Sequence, residues 1–289
     1  EDFAYAKPQN YEMWPMLLEK AWAKVNGGYA WINGGLVQEA LVALTGFPSN
    51  IYKHIPNKQN ELFETIQVGT AQKTIMSVGS RADESIEKTG LVLGHAYTLL
   101  EGKSYESNNL DIDLIKVRNP WGEGEWTGDW SDKSDKWTKE LKKYFGVVDR
   151  NDGVFWISVD DYVKLFETTT ICYLLYGSII KQYHSHKENF IKDPAVFDFY
   201  LKEPSKVSIS ALFRDEKYHR TMHNPIRPFT MVLCKYNEQK EIETFQCQYD
   251  CRRDVEMVVE LNKGFYVLWL YIDYEHIKND ERFKYVLRI

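Results

Sequence analysis

Two stretches decide how this sequence is read: GLVLGHAYTLLE at residues 90–101 and IKVRNPWGEGEWTGDWSD at residues 115–132. Each opens on an apolar run rich in β-branched and aromatic residues. Strands are therefore expected over 91–101 and 113–121, with the polar segment GKSYESNN turning between them as an antiparallel hairpin. With the turn centred near residue 106, His95 lies about eleven residues before it and Asn119 about thirteen after, so the ladder sets the two side by side. An imidazole whose N–H is held by an amide oxygen has a fixed tautomer and presents its other nitrogen as a base. Trp121, two residues past Asn119 and on the same face of an extended chain, would cover the pair from water. On spacing alone the plainer reading leads: a buried strand histidine, and an asparagine that opens a turn before Pro120.

Upstream, YEMWPMLLEKAWAKV (11–25) places Leu17, Leu18, Ala21, Trp22 and Val25 at helical spacing, with Pro15 tolerable in the first turn. LVQEALVAL (36–44) reads as a second helix stopped by Gly46 and Pro48. A helical stretch near 59–72 leads to a strand at 74–80. Downstream come a charged helix near 135–145, the strand GVFWISV, and a helix DDYVKLF announced by Ser158 with Asp161 three residues on. Helices followed by hairpins make this part an α+β unit. Beyond about residue 176 helix signals fade. AVFDFYL, KVSISALF, FTMVLCKY, VEMVVEL, GFYVLWLYI and FKYVLRI alternate at intervals suited to a β-sandwich. The expected division is 1–177 and 178–289.

The words around the pair carry more than their spacing. G-H-A-Y at 94–97 and R-N-P-W-G-x-x-E-W-x-G-x-W at 118–130 resemble the second catalytic subdomain of calpains, papain-like cysteine proteases that depend on calcium. LLEKAWAKVNGGY (17–29) and NDGVFWISVDDYVKLFETTTIC (151–172) are similar to that family's segments before and after it. The resemblance covers about 11–175. It implies that His95 is a general base and later an acid, that Asn119 orients it, and that Trp121 shields them. The implied fold is a papain-like α+β subdomain of helices and an antiparallel sheet or barrel, followed by the calpain β-sandwich (C2-like) domain. That last assignment rests on position and pattern, because the family's W-x-x-G-x-x-x-G-G-C entry to the sandwich is missing.

Glu123, Glu125, Asp129, Asp132 and Asp135 crowd into a loop of thirteen residues. A solvated acidic loop is the plain reading. The resemblance implies a calcium site built from the carboxylates of Glu125, Asp132 and Asp152 with a carbonyl near Arg150. Val154 stands where the family often has a glutamate, which would weaken it.

In calpains the nucleophilic cysteine and an oxyanion-hole glutamine lie in a separate first subdomain, and neither is expected here. The four cysteines, Cys172, Cys234, Cys247 and Cys251, follow the region where the nucleophile belongs, form no CxxC, and suit a reducing compartment. The opening EDFAYAKPQN, without initiator Met or apolar core, reads as the cut end of something longer. The expected function is thus a fragment of an intracellular, cytoplasmic cysteine endopeptidase acting on protein substrates, inactive without the cysteine-bearing subdomain of the same protein. The alternative is a catalytically dead calpain-like regulatory or scaffold protein. A net charge of -6 argues against nucleic acid as the main partner. Membrane contact by the sandwich has no basic cluster behind it.

Overall fold

The structure, a computed structural model, describes residues 6, 12–107, 110–174, 181–184, 195–212, 229–236, 242–250, 254–272 and 286–289. The expected division at 177/178 and Cys251 lie outside them. Contacts divide the chain into two units, Leu36–Tyr176 and Glu1–Gly35 with Gly177–Ile289.

In the first unit one six-stranded antiparallel sheet runs in the order β1-β6-β2-β3-β4-β5. Its strands are β1 (Ser49–Lys53), β2 (Ile75–Ser80), β3 (Ala96–Ser107), β4 (Leu110–Arg118), β5 (Val154–Ser158) and β6 (Phe166–Cys172). Strands β4 and β5 are covered on both faces, and their sequences show it. In β5, Phe155 and Ile157 point into a core shared with helices α3 (Gln59–Ala71) and α5 (Val159–Leu165). Trp156 between them joins a second cluster with Leu141 and Phe145 of α4 (Lys139–Phe145). Adjacent Leu114 and Ile115 of β4 divide in the same way, and both are fully buried. Each such side chain is worth roughly 1.5–3 kcal/mol of transfer free energy. Helix α3 lies so close to β3 that a Cβ on Gly102 would stand 2.8 Å from Ile66 Cγ2.

Local chemistry sets the boundaries. Ser158 caps α5 by accepting the Asp161 N–H at 3.1 Å, and Thr138 caps α4 through the Leu141 N–H. Helix α2 (Val37–Thr45) ends at Gly46 with φ 75, a left-handed residue that continues the chain away from the axis. The decisive hairpin departs from expectation at both ends. GKSYES, expected as turn, continues β3 as far as Ser107, which pairs with Leu110, while β3 begins only at Ala96 and β4 ends at Arg118. His95 and Asn119 therefore stand just beyond the ladder. An irregularity between Leu99 and Glu101 shifts the register there.

In the second unit two four-stranded sheets stack. One runs β11-β10-β13-β8 and the other β12-β9-β14-β7. Their strands are β7 (Gln182–His184), β8 (Ala195–Leu201), β9 (Ser205–Leu212), β10 (Phe229–Tyr236), β11 (Ile242–Asp250), β12 (Asp254–Leu261), β13 (Gly264–Ile272) and β14 (Val286–Arg288). Met231, Leu233, Leu268 and Leu270 of the first sheet share one core with Ile209, Val255, Met257 and Leu287 of the second. Strict alternation in DVEMVVEL buries Val255, Met257, Val259 and Leu261 and turns Val258 and Glu260 outward. The α+β unit followed by a β-sandwich is the expected fold class.

The same unit holds α1 (Trp14–Val25), with Pro15 in its first turn as expected. The side chains whose spacing predicted a packed face, Leu17, Leu18, Ala21 and Val25, are exposed, and only Ala23 is buried. Periodicity makes the helix amphipathic without saying what covers it.

Candidate functional site

His95 follows Gly94 on a turn and is fixed by its main chain before its ring is considered. Its N–H donates to Ser80 Oγ at 2.9 Å, and its carbonyl accepts the Ser80 N–H at 2.9 Å. Ser80 is buried at the end of β2, so one residue grips both backbone groups of His95. Tyr97 adds a second hold, because its hydroxyl accepts the Val92 N–H while the edge of its ring meets the imidazole at 4.9 Å. Burial raises the Tyr97 pKa, which keeps the phenol neutral.

Asn119 is fully buried, and its hydrogen bonds dictate which way its amide points. Nδ2 donates to the carbonyls of Glu123 (2.8 Å) and Gly124 (3.2 Å), so the amide nitrogen can only face the loop. Oδ1 is then the atom turned to His95, where it accepts from Nε2 at 3.0 Å, and it also accepts the Trp121 N–H at 3.1 Å. In the neutral ring the proton therefore sits on Nε2. The lone pair is on Nδ1, to which no described residue hydrogen-bonds. The Trp121 indole lies against the imidazole with centroids 4.5 Å apart, although the side chain itself is 64% exposed. Chemically this is a base with a set tautomer and orientation.

The rest of the Asn119 environment comes from two loops. The Asn119 N–H donates to the Gly153 carbonyl at 2.8 Å. Gly153 has φ 81, and a Cβ there would stand 2.8 Å from the Asn119 carbonyl oxygen, so both conformation and space demand glycine. The Glu125 carboxylate ties this turn to the acidic loop, Oε1 accepting the N–H groups of Asp152 (3.0 Å) and Gly153 (2.9 Å).

The predicted calcium ligands come together only in part. Asp132 Oδ2 accepts the Arg150 N–H at 3.2 Å, and Asp152 Oδ1 accepts the Val154 N–H at 3.0 Å. Burial pushes the Asp132 carboxyl up to about 6. The Arg150 N–H opposes that shift, and the nearby charges of Glu125, Asp149 and Asp152 add to it. Oxygen donors of this kind suit a hard cation. Among the described residues, however, no three His, Cys, Asp or Glu side chains group as a metal would need, and the carboxylates are bonded to main-chain amides instead. The residues as placed do not form a calcium shell.

Among the described residues of its own unit, no cysteine joins the pair. Cys172 pairs with Ile75 at the far end of β2 from Ser80, about 17 Å along the strand at ~3.3 Å per residue. Cys234 and Cys247 belong to the other unit. Sequence reasoning missed Ser80, Gly153 and the carbonyls of Glu123 and Gly124. Gly153 and the two carbonyls act through main-chain geometry and Ser80 through a hydroxyl that grips a backbone group, and the only sequence signal among them was the glycines.

Residues 1–173 match the model of the calpain family cysteine proteases, and the chain belongs to that family. Calpain-14 of Homo sapiens is 36% identical over 171 residues, 58% of this chain and 25% of the relative. The Calpain-1 catalytic subunit of Rattus norvegicus is 36% identical over 173 residues, 57% of this chain and 24% of the relative. Calpain-5 of Mus musculus is 30% identical over 317 aligned positions, covering 89% of this chain and 49% of the relative. The chain thus spans between a quarter and a half of the length of these relatives. Among the described residues no helix is long and apolar enough to cross a membrane.

Proposed function

We propose that this chain supplies the base-bearing part of a calpain-type cysteine endopeptidase. A cysteine thiol gives its proton to His95 Nδ1, and the thiolate attacks the scissile carbonyl carbon of a protein substrate. His95 then returns the proton to the leaving amine as the thioester forms. A water that loses its proton to His95 hydrolyses the thioester, releasing the acid and restoring the thiol. Asn119 holds the ring throughout, and Trp121 shields the hydrogen bond between them. The 3.0 Å contact from His95 Nε2 to Asn119 Oδ1, with the amide's direction set by two loop carbonyls, carries this reading.

The cysteine comes, on this proposal, from a segment of the parent protein outside this sequence, and the chain by itself does not cleave protein. The catalytic part ends near 177, with the sandwich following to 289, and the parent protein works in the cytoplasm. Calcium is bound weakly, because it must displace the amides of Arg150, Asp152, Gly153 and Val154 from their carboxylates. Tight, stoichiometric uptake in calorimetry refutes that point. The main test is an assay of this chain on casein, where no turnover above background is expected. Turnover abolished by His95→Ala would show that a nucleophile is already present. The coding sequence upstream of Glu1 should encode a glutamine and then a Cys-x-[Phe/Trp] segment, and its absence there refutes the proposal.

A further inference from the structure

The acidic loop and the 150s turn both touch Asn119, and one side chain ties them together. Asn119 spends its main-chain N–H on the Gly153 carbonyl of the turn and its side-chain NH2 on the Glu123 and Gly124 carbonyls of the loop. The half-buried Glu125, next in the chain after Gly124, returns from the loop to accept the N–H groups of Asp152 and Gly153 on a single carboxylate oxygen. Gly153 is thus held from both ends: its N–H by Glu125 and its carbonyl by Asn119. From these contacts we infer that Glu125 is a positioning residue, which closes the loop and turn around Asn119 and so holds His95 in its working tautomer without a cation. The inference rests on the reading of His95 and Asn119 as a base and its orienting amide.

Two neighbouring N–H groups pointing at one oxygen form a small anion-binding concavity, and a charged acceptor strengthens both bonds. Take Glu125 away and both amides lose their acceptor, so the turn can leave Asn119 and its amide can rotate. The lever is the acceptor oxygen at this reach, with charge secondary. A glutamine keeps that oxygen, whereas an aspartate keeps the charge but withdraws the oxygen by one methylene.

The test follows the His95 ring N–H in selectively 15N-labelled chain by NMR, assigned by its loss in His95→Gln, with a calcium chelator present throughout. The native chain should give a slowly exchanging Nε2–H signal with Nδ1 unprotonated. Glu125→Ala should raise the exchange rate by about tenfold or more, the loss expected for a two-amide acceptor. Glu125→Asp should do the same, and Glu125→Gln should stay within about threefold of native. If Glu125→Ala fails to fold, the comparison of Asp with Gln decides. Native-like exchange in Glu125→Asp, or loosened exchange in Glu125→Gln, overturns the inference. Asn119→Ala separates the two levels: a His95 signal it leaves unchanged refutes the pair itself. A signal lost in Asn119→Ala but kept in Glu125→Ala and Glu125→Asp refutes the positioning role alone.

Discussion

Acidification should unlock the first unit at His54. This histidine is buried, with 8% of its surface exposed, between β1 and β6. Nδ1 faces the Phe166 carbonyl at 2.9 Å, which can only accept, so Nδ1 carries the proton and Nε2 accepts from the Thr169 hydroxyl at 2.7 Å. Tyr162 in turn donates to that Thr169 oxygen at 2.6 Å, its own pKa raised by burial. A second proton on His54 would place a charge in the core and force the Thr169 hydroxyl to stop donating to Nε2. Burial lowers the His54 pKa from 6.5 to about 4; the Phe166 carbonyl opposes the shift and Arg81 adds to it.

The unfolded chain therefore binds a proton near pH 6.5 that the folded chain refuses until about pH 4. Stability is full above the higher value and falls with pH between the two. At ~1.36 kcal/mol per unit, the loss between pH 7 and pH 4 is about 3 kcal/mol. Asp132, raised to about 6, titrates with the opposite sign, so the raw profile mixes the two. The comparison with His54→Gln cancels everything but His54. Urea unfolding followed by Trp fluorescence should show the wild type more stable than the variant at pH 7. That margin should shrink by about 3 kcal/mol at pH 4. A margin constant with pH would refute the account of a neutral, buried His54.

Gly153→Ala should cost about 2 kcal/mol from the left-handed backbone and the Cβ pressed on the Asn119 carbonyl, read by urea unfolding; a neutral result refutes the close packing of turn and site. Trp121→Ala should change stability by less than about 1 kcal/mol, since the indole is mostly exposed, yet speed exchange of the His95 ring N–H several-fold. Unchanged exchange there would mean that the indole does not shield the pair.

What the sequence disclosed follows from how each feature is encoded. Helix ends with a local signal were legible: Ser158 and Asp161 announced α5, and Gly46 announced the end of α2. Strands with apolar alternation were legible too, VEMVVEL most plainly. Strand β11, ending in QCQYD, escaped because polar residues interrupt its apolar ones, and β1, SNIYK, is too short and mixed. In the candidate site, His95, Asn119 and Trp121, which the structure brings together, were singled out by their words, since spacing alone favoured a plainer reading. The calcium set was legible as acidic residues but not as a shell, because backbone amides compete for the same oxygens and no sequence pattern records that competition.

Apart from His95, every partner of the Asn119 side chain among the described residues is a main-chain atom: the carbonyls of Glu123 and Gly124 and the N–H of Trp121. Such a socket places no demand on what most of the surrounding residues carry, only on the path their backbone takes. The exposed side chain of Glu123 is therefore open to replacement for other ends, such as a new surface charge or a recognition contact, while the pair beneath it stays in register. Drift around this site should be wide in chemistry and narrow in loop length.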